Sequence, residues 1–189
     1  RLHDRGLSPE VIAYGRQRRW GWLEQSLLVL CEAPNTTAMD AFVIGPLRQL
    51  AAPQRRTFIR ALAEFSRTMN TNGFINSEYH WRNILVQHTQ DRFTFQVIDP
   101  SSSRQRYRWI WPYFDMATLD ICARYFFTRS ERLRFLKIYW GRPKQPLTRR
   151  QKRLIGKLSA LRDRLAKKEI KRYRYILSAA PHNGQTGCD

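Results

Sequence analysis

Between positions 78 and 99 the sequence places an acid, an amide and a second acid at a spacing that could support phosphoryl transfer. Glu78 precedes Asn83 by five positions, and Asp99 ends the second of two short apolar segments that follow. In a protein kinase, an acid in the first position accepts the proton of the attacking hydroxyl, and the Asn and the later Asp hold Mg²⁺ on the phosphates of ATP. Carboxylate and amide oxygens are the hard ligands that Mg²⁺ requires. We therefore predict Glu78 as a catalytic residue and Asn83 and Asp99 as ligands of metal and nucleotide.

The flanking segments could bring these three side chains together. Residues 53–69 carry apolar residues at spacings of four, three and four, which predicts an amphipathic helix that ends at residues 70–73. Two short strands are predicted next, at residues 84–86 and 93–98, and a hairpin between them would return Asp99 to the side of Asn83. An acid and an Asn at this spacing are also compatible with an ordinary loop, but the order of helix, loop and hairpin favours the kinase interpretation. The inward residues of the helix would be Phe58, Leu62, Phe65 and Met69.

Two further sets of residues could take part. His80 lies two positions beyond Glu78, where kinases often place a Lys near the γ-phosphate. It could act as a phosphate donor or as a base, and an ordinary surface-loop His is an equal alternative. Residues 31–34 follow a predicted strand and could form the hinge whose backbone binds adenine. Pro34 has no N–H to donate, so we predict that Glu32 or Ala33 makes this contact; a plain strand exit is the alternative.

The N-terminal part of the chain predicts one antiparallel hairpin. Its strands would be residues 10–14 and 23–31, with the basic residues 16–19 at the tip. Two strands do not form a stable sheet alone. Either further strands precede them or the hairpin packs on the helical part.

The second half of the chain predicts helices. Asp115 would start one helix and cap it or pin the catalytic loop, Ser130 would cap a second that ends at Gly141, and Thr148 with Gln151 would form the capping box of a long last helix. Residues 181–189 would form a frayed tail. The residues predicted to face inward are Leu133, Leu136 and Tyr139 or Trp140 in the second helix, and Leu154, Leu158, Leu161 and Leu165 in the third.

Composition and charge restrict the functional class. The 189 residues carry a net charge of +19 and are 42% hydrophobic, and this apolar fraction excludes wholesale disorder. No apolar stretch is long enough to span a bilayer. Three Cys at no metal-ligand spacing favour a reducing compartment over a disulfide or zinc framework. Residues 129–174 contain 18 Lys and Arg and three acids, a net +15. This field predicts an anionic partner: nucleic acid, lipid headgroups or a phosphorylated glycan.

Five segments, taken in order, resemble the bacterial lipopolysaccharide kinase family, which phosphorylates heptose or 3-deoxy-manno-octulosonic acid (Kdo). Residues 6–15 (GLSPEVIAYG) resemble the strand after the family's regulatory helix, and residues 81–86 (WRNILV) resemble its catalytic loop. Residues 97–101 (VIDPS) resemble its metal-binding segment. Residues 114–120 (FDMATLD) and 132–141 (RLRFLKIYWG) are similar to the helical segments that follow, and the last block is the most distinctive.

This resemblance implies an α+β, protein-kinase-like fold with a mostly helical C-lobe and a partial antiparallel-sheet N-lobe. Residues 1–33 would be the end of the N-lobe with the hinge, residues 34–180 the C-lobe with its basic C-terminal helices, and residues 181–189 the tail. The implied activity is ATP- and Mg²⁺-dependent phosphorylation of heptose or Kdo in the lipopolysaccharide inner core. The nucleotide would be bound by Glu32, Ala33, Asn83 and Asp99. The protein would be cytoplasmic and peripheral to the inner membrane, which the basic residues 129–174 would contact; nucleic acid is then disfavoured as the partner.

The sequence also departs from the family pattern. The family usually has His and Asp where this chain has Asn76 and Glu78, and Pro100 replaces the Gly after the metal-binding Asp. A carboxylate misplaced by about 1 Å can cost on the order of 100-fold in rate. No Gly-rich phosphate loop or strand Lys precedes residue 10, so we expect the chain to lack the first part of the nucleotide-binding lobe. The second hypothesis is therefore a catalytically impaired pseudokinase that binds lipopolysaccharide or a protein partner, and the third is a basic nucleic-acid-binding module.

Overall fold

The structure, a computed structural model, describes residues 6–75, 79–90, 92–98, 111–169, 171 and 173–180. Runs of antiparallel strands and of a larger number of helices follow one another along these residues, which confirms the predicted α+β class. The strands are β1 (Val11–Arg19), β2 (Trp22–Leu30), β3 (Thr36–Ala38), β4 (Ile84–Thr89) and β5 (Arg92–Val97). The helices are α1 (Met39–Ile44), α2 (Pro46–Gln49), α3 (Ala52–Thr71), α4 (Trp111–Phe126), α5 (Arg129–Tyr139), α6 (Arg149–Glu169) and α7 (Arg174–Ser178), with a 3-10 turn at Trp81–Asn83. The predicted tail, residues 181–189, lies outside the described residues.

The predicted N-terminal hairpin is present but longer than expected. Strands β1 and β2 pair antiparallel and form a two-stranded sheet, with Gly15 opposite Leu27. The prediction that residues 16–19 form the tip is wrong, because β1 continues through Arg19 and the turn is made by Trp20 and Gly21. Both turn residues have positive φ, +53° and +82°, and a two-residue turn of this kind matches the twist of the paired strands. Most side chains of the hairpin are exposed.

The second sheet carries the core of the molecule. Its order is β3-β4-β5, all antiparallel, and Ile84 at the start of β4 pairs with Val97 at the end of β5. The buried face of this sheet packs on α3, where Phe58 is fully buried. Phe58 lies at the centre of a ring cluster, with centroids 5.4–6.2 Å from four other rings, a spacing at which aromatic pairs attract beyond the area they bury. Those rings belong to Phe42, Phe93, Phe95 and Phe127.

The ends of the later helices follow capping chemistry. The cap of α5 is Thr128 rather than the predicted Ser130: its Oγ1 accepts the N–H of Glu131 at 3.2 Å, and its own N–H donates to the Glu131 carboxylate at 2.8 Å. Gly141 follows the end of α5 as predicted, with φ +70°. The capping box of Thr148 and Gln151 at the start of α6 is also confirmed, with hydrogen bonds of 2.9 and 3.2 Å.

Ion pairs fasten the helices around this core. Asp120 of α4 accepts two hydrogen bonds from Arg132 at 2.6 and 2.7 Å and a third from Arg162 of α6 at 3.0 Å. Glu131 of α5 accepts a 3.0 Å bond from Arg55 of α3. Burial opposes the ionisation of Glu131, but its hydrogen bonds from Arg55 and Thr128 lower its pKa overall. Helix α6 therefore lies on the main body, as predicted, with Leu158 buried beneath it.

Candidate active site

The predicted catalytic loop is anchored by its aromatic residues. Tyr79 is fully buried, and its hydroxyl lies 2.9 Å from the Oγ of Ser66 in α3. Trp81 is 1% exposed, and its Nε1 donates to the carbonyl of Leu119 in α4 at 2.9 Å. Burial, partly offset by the hydrogen bond with Ser66, raises the pKa of Tyr79, so its hydroxyl stays protonated. The loop is thus held from two sides by helices that belong to the core.

Asn83 ends this loop beside the strand that leads to Asp99. It is 7% exposed, and its N–H donates to the carbonyl of His80 at 2.9 Å, which closes the 3-10 turn. Its own carbonyl accepts the N–H of Ile98 at 2.9 Å, one step beyond the pairing of Ile84 with Val97. The predicted hairpin is therefore present and brings Ile98 next to Asn83. Glu78 and Asp99 themselves, with Asn76, lie outside the described residues, so the geometry of the acid and of the metal site stays a prediction.

His80 lies inside the protein rather than on a surface loop. It is 4% exposed, and its Nδ1 is hydrogen bonded to the hydroxyl of Tyr173, which is also buried. The two ring centroids are 5.6 Å apart. A buried imidazole held in this way is well placed to support the loop. No local sequence pattern predicts this contact, because Tyr173 lies 93 positions away.

Asp115 contributes to the same interior. It lies within α4 rather than at its start, and it is fully buried. One of its carboxylate oxygens accepts a hydrogen bond from the side chain of Asn70 at 3.1 Å, and Asn70 also accepts one from the Tyr139 hydroxyl at 2.9 Å. Burial and the nearby negative charge of Asp115 raise the pKa of Tyr139. This network joins α3, α4 and α5 next to the loop that Tyr79 opens.

A cleft of about 420 Å³ separates the N-terminal hairpin from the second sheet, and the predicted hinge residues line it. The Cys31 N–H donates to Glu10, and the Ala33 carbonyl accepts from Thr36 at 2.8 Å. No hydrogen bond among the described residues occupies the N–H groups of Glu32 or Ala33. A cleft of this size, with backbone donors at its edge, fits a ligand of nucleotide dimensions. A second, nearly apolar cavity of about 80 Å³ lies among helices α3 to α6 and offers few polar groups to such a ligand.

Gln96 is a residue of this cleft that the sequence analysis missed. It pairs with Leu85 across β4 and β5, and both side chains line the cleft. Its Oε1 atom is buried and has no hydrogen-bond partner in the described part of the chain. An unsatisfied buried acceptor costs about 1–3 kcal/mol, and an N–H or O–H group of a bound ligand would satisfy it. The available signal was the period of two in β5, which puts Gln96 on the face opposite Phe95 and Val97.

The solvent face of α6 forms a basic surface. Eight Lys and Arg side chains on this helix are exposed, whereas Asp163 is its only exposed acid within the described residues. Arg162, by contrast, points inward. Burial opposes its charge, but Asp120 and Asp163 raise its pKa overall. The exposed basic residues of α6 are Arg149, Arg150, Lys152, Arg153, Lys157, Arg164, Lys167 and Lys168.

None of the helices within the described ranges is long and apolar enough to cross a membrane.

Comparison with known proteins gives two matches. A profile of the lipopolysaccharide kinase (Kdo/WaaP) family matches residues 1–139. Among solved structures, WaaP in complex with acyl carrier protein is similar, with 25% sequence identity and a TM-score of 0.70 over 88% of this chain and 71% of the WaaP chain. No curated protein sequence matches this chain significantly.

Proposed function

Because the chain belongs to the lipopolysaccharide kinase (Kdo/WaaP) family, we propose that it transfers the γ-phosphoryl group of ATP to a hydroxyl of heptose or Kdo in the lipopolysaccharide inner core. The observation that carries this proposal is the anchored loop from Tyr79 to Asn83, which ends beside Ile98. The strand that follows the loop places Leu85 in the lining of the nucleotide-sized cleft. Kinase chemistry needs this arrangement, because it relies on positioning and electrostatic stabilisation more than on covalent steps.

Each predicted residue has a role in this proposal. The backbone N–H of Glu32 or Ala33 binds the adenine ring, and Gln96 accepts a hydrogen bond from the nucleotide. Asn83 and Asp99 supply the oxygen ligands for Mg²⁺. When bound, Mg-ATP supplies the phosphoryl group that is transferred. Glu78 orients the sugar hydroxyl and takes its proton.

For His80 we propose support of the loop in place of the phosphate contact that the sequence suggested. Its ring is buried, and its Nδ1 is hydrogen bonded to Tyr173. A side chain that donates to a phosphate must reach the cleft. Burial within the helical part therefore favours a positioning role over a role as phosphate donor or base.

The metal-site variants test the proposed reaction. Asp99→Ala should remove most Mg-ATP-dependent transfer, because its carboxylate is the charged ligand. Asn83→Ala should lower transfer less, since a neutral amide supplies one ligand and no charge. Glu78→Gln should leave nucleotide binding nearly intact and slow transfer. Phosphate transfer to lipopolysaccharide is the assay, with the exposed Gln17→Ala in the hairpin as the control. Transfer that survives Asp99→Ala would contradict the proposal.

The pseudokinase alternative is separated by Glu78→Asp, which restores the usual residue of the family. If Glu78 acts as a base in a loop refitted to it, the shorter side chain should lower the rate. If the protein is catalytically impaired, Asp should raise the rate or leave an inactive protein inactive. Wild-type protein that binds Mg-ATP but transfers no phosphate would establish the alternative.

We further propose that the basic face of α6 binds anionic glycolipid at the cytoplasmic face of the inner membrane. Exposed charges are screened beyond about 8–10 Å at physiological salt, so binding to anionic vesicles should weaken steeply as salt is added. Substitution of Lys157 and Arg164 by Glu should weaken binding to these vesicles. The matched control is the same charge reversal at Arg16 and Arg18 in the hairpin, which should leave this binding unchanged. Equal binding to neutral and anionic vesicles would contradict this surface, and a preference for RNA would favour nucleic acid as the partner.

Acyl carrier protein is a second candidate partner, because the similar WaaP structure is a complex with it. Co-elution of the two purified proteins in gel filtration tests this directly. Loss of co-elution in the Lys157 and Arg164 reversal would place the contact on the basic face of α6, and separate elution of wild-type protein would contradict the partner.

A further inference from the structure

The last described segment of the chain, residues 173–180, packs against elements far away in sequence. Within it, Tyr173 is 3% exposed and Ile176 is 1% exposed. Near the end of the segment, the carbonyl of Ala179 accepts a hydrogen bond from the side chain of Arg48 in α2. A five-residue helix such as α7 has little stability of its own, so these long-range contacts must hold the segment in place.

Two tyrosines of this segment make polar contacts with two different elements. The Tyr173 hydroxyl is hydrogen bonded to Nδ1 of His80 in the catalytic loop. The Tyr175 hydroxyl donates to a carboxylate oxygen of Asp40, a 7% exposed residue in α1. Burial and the neighbouring Asp40 carboxylate raise the pKa of Tyr175, so its hydroxyl remains a donor at neutral pH. The segment therefore connects α1 to the catalytic loop.

His80 is the middle of three consecutive loop residues that are held from three directions. Tyr79 contacts Ser66 of α3, His80 contacts Tyr173, and Trp81 contacts the Leu119 carbonyl of α4. The His80 carbonyl in turn accepts the N–H of Asn83. The imidazole and the metal-ligand candidate are thus linked through one short turn of backbone.

We infer that Tyr173 is a positioning residue for this site: its hydroxyl fixes the ring of His80, and through it the turn that presents Asn83. The inference rests on the proposed function and adds a residue outside the loop to it. A buried imidazole nitrogen needs a hydrogen-bond partner. Loss of the Tyr173 hydroxyl removes the contact that orients Nδ1 of His80, and we expect the ring and the Asn83 turn to shift together.

The test is Tyr173→Phe, which keeps the ring and its packing but removes the hydroxyl. We expect kcat to fall about tenfold, within the roughly 100-fold that a 1 Å misplacement can cost, while KM for ATP changes less than about threefold. Hydrogen exchange provides a readout that is independent of activity. The Asn83 amide, which donates to His80, should exchange faster in the variant. The matched control is Tyr125→Phe, because the one hydrogen bond of the Tyr125 hydroxyl within the described residues is an exposed contact with Arg124.

A second pair of variants keeps the inference testable if Tyr173→Phe folds poorly. His80→Leu removes the same hydrogen bond from the other side, and residues that act through one contact have non-additive effects. The double variant should then be no slower than the slower single variant. Fully additive effects would overturn the inference.

The other possible results of these experiments also decide whether the inference stands. Wild-type kcat together with unchanged Asn83 exchange in Tyr173→Phe would overturn the inference. A lower melting temperature with unchanged kcat would assign Tyr173 a purely structural task, which also overturns it. If wild-type protein transfers no phosphate, the proposed function fails, and the exchange of the Asn83 amide then decides whether Tyr173 positions the loop.

Discussion

Substitution of Trp81 by Phe should separate the anchoring of the catalytic loop from the rest of the fold. Trp81 is 1% exposed, and its Nε1 donates to the Leu119 carbonyl at 2.9 Å. Loss of that bond costs about 1 kcal/mol, and the carbonyl left unpaired can cost more. The smaller ring also leaves a void against Phe126 and Phe127, whose centroids lie 5.6 and 6.3 Å away. A large-to-small change of this size adds about 1–2 kcal/mol.

The expected total for Trp81→Phe is therefore a loss of about 3 kcal/mol in the free energy of unfolding. For a chain of this length, 1 kcal/mol shifts the melting temperature by about 2–4 °C, so the variant should melt about 6–12 °C lower. Thermal denaturation followed by circular dichroism measures this shift. Binding of Mg-ATP should weaken as well, since Asn83 lies two residues beyond the lost anchor.

The matched control is Trp22→Phe, the same chemical change at a position in the hairpin that is 81% exposed. Surface changes of this kind usually stay within about 0.5 kcal/mol. If Trp81→Phe melts within 2 °C of Trp22→Phe, the hydrogen bond to Leu119 does not anchor the loop, and the reasoning is refuted.

Three further predictions concern other parts of the fold. Gln96→Leu should weaken nucleotide binding about fivefold or more and leave the melting temperature unchanged or higher, because it removes an unsatisfied acceptor; calorimetric titration with ATP checks this, and equal affinities would remove Gln96 from the site. The pKa of Glu131 is lowered in the folded state, so its contribution to stability is present above about pH 4.3 and is lost as the pH falls through the folded pKa. In urea unfolding from pH 7 to 3, the free energy of unfolding should therefore fall less for Glu131→Gln than for wild type. Parallel plots of this free energy against pH would count against the ion pair with Arg55. Gly141→Ala should cost about 1–2 kcal/mol, because its φ is +70° and a Cβ would lie 2.9 Å from the Arg67 guanidinium; an unchanged melting temperature would contradict this.

Local patterns in the sequence predicted most of the helices and strands. The spacing of Phe58, Leu62 and Met69 predicted α3 and its buried face, and the capping box of Thr148 and Gln151 predicted the start of α6. The hairpin tip was misplaced, because a bulky Trp20 at positive φ is uncommon and its turn gives no sequence signal. The prediction of Ser130 as the cap of α5 is wrong, since Ser and Thr two positions apart are equivalent by type and only the position of Glu131 distinguishes them.

The candidate site was predictable only in part for a physical reason. The local pattern predicts a hairpin directly after Asn83, and the pairing of Ile84 with Val97 confirms that hairpin. The contacts of His80 with Tyr173 and of Asp40 with Tyr175 depend on how distant helices pack. Short segments such as α7 have no periodicity from which such packing could be derived.

The separation between His80 and Tyr173 has a consequence for synthesis of the protein. The two residues are 93 positions apart, and Asp40 and Tyr175 are 135 positions apart. At about 5–20 residues per second, a ribosome makes Tyr173 about 5–20 s after His80. Once Asp99 has been made, the nascent chain contains every predicted catalytic and metal-binding residue but lacks the Tyr173 hydroxyl that contacts His80. The contacts of the loop are therefore completed only when Tyr173 has been translated. A message cut short before Tyr173 would yield a protein with all of its predicted reactive groups but without one of the three contacts that hold the loop.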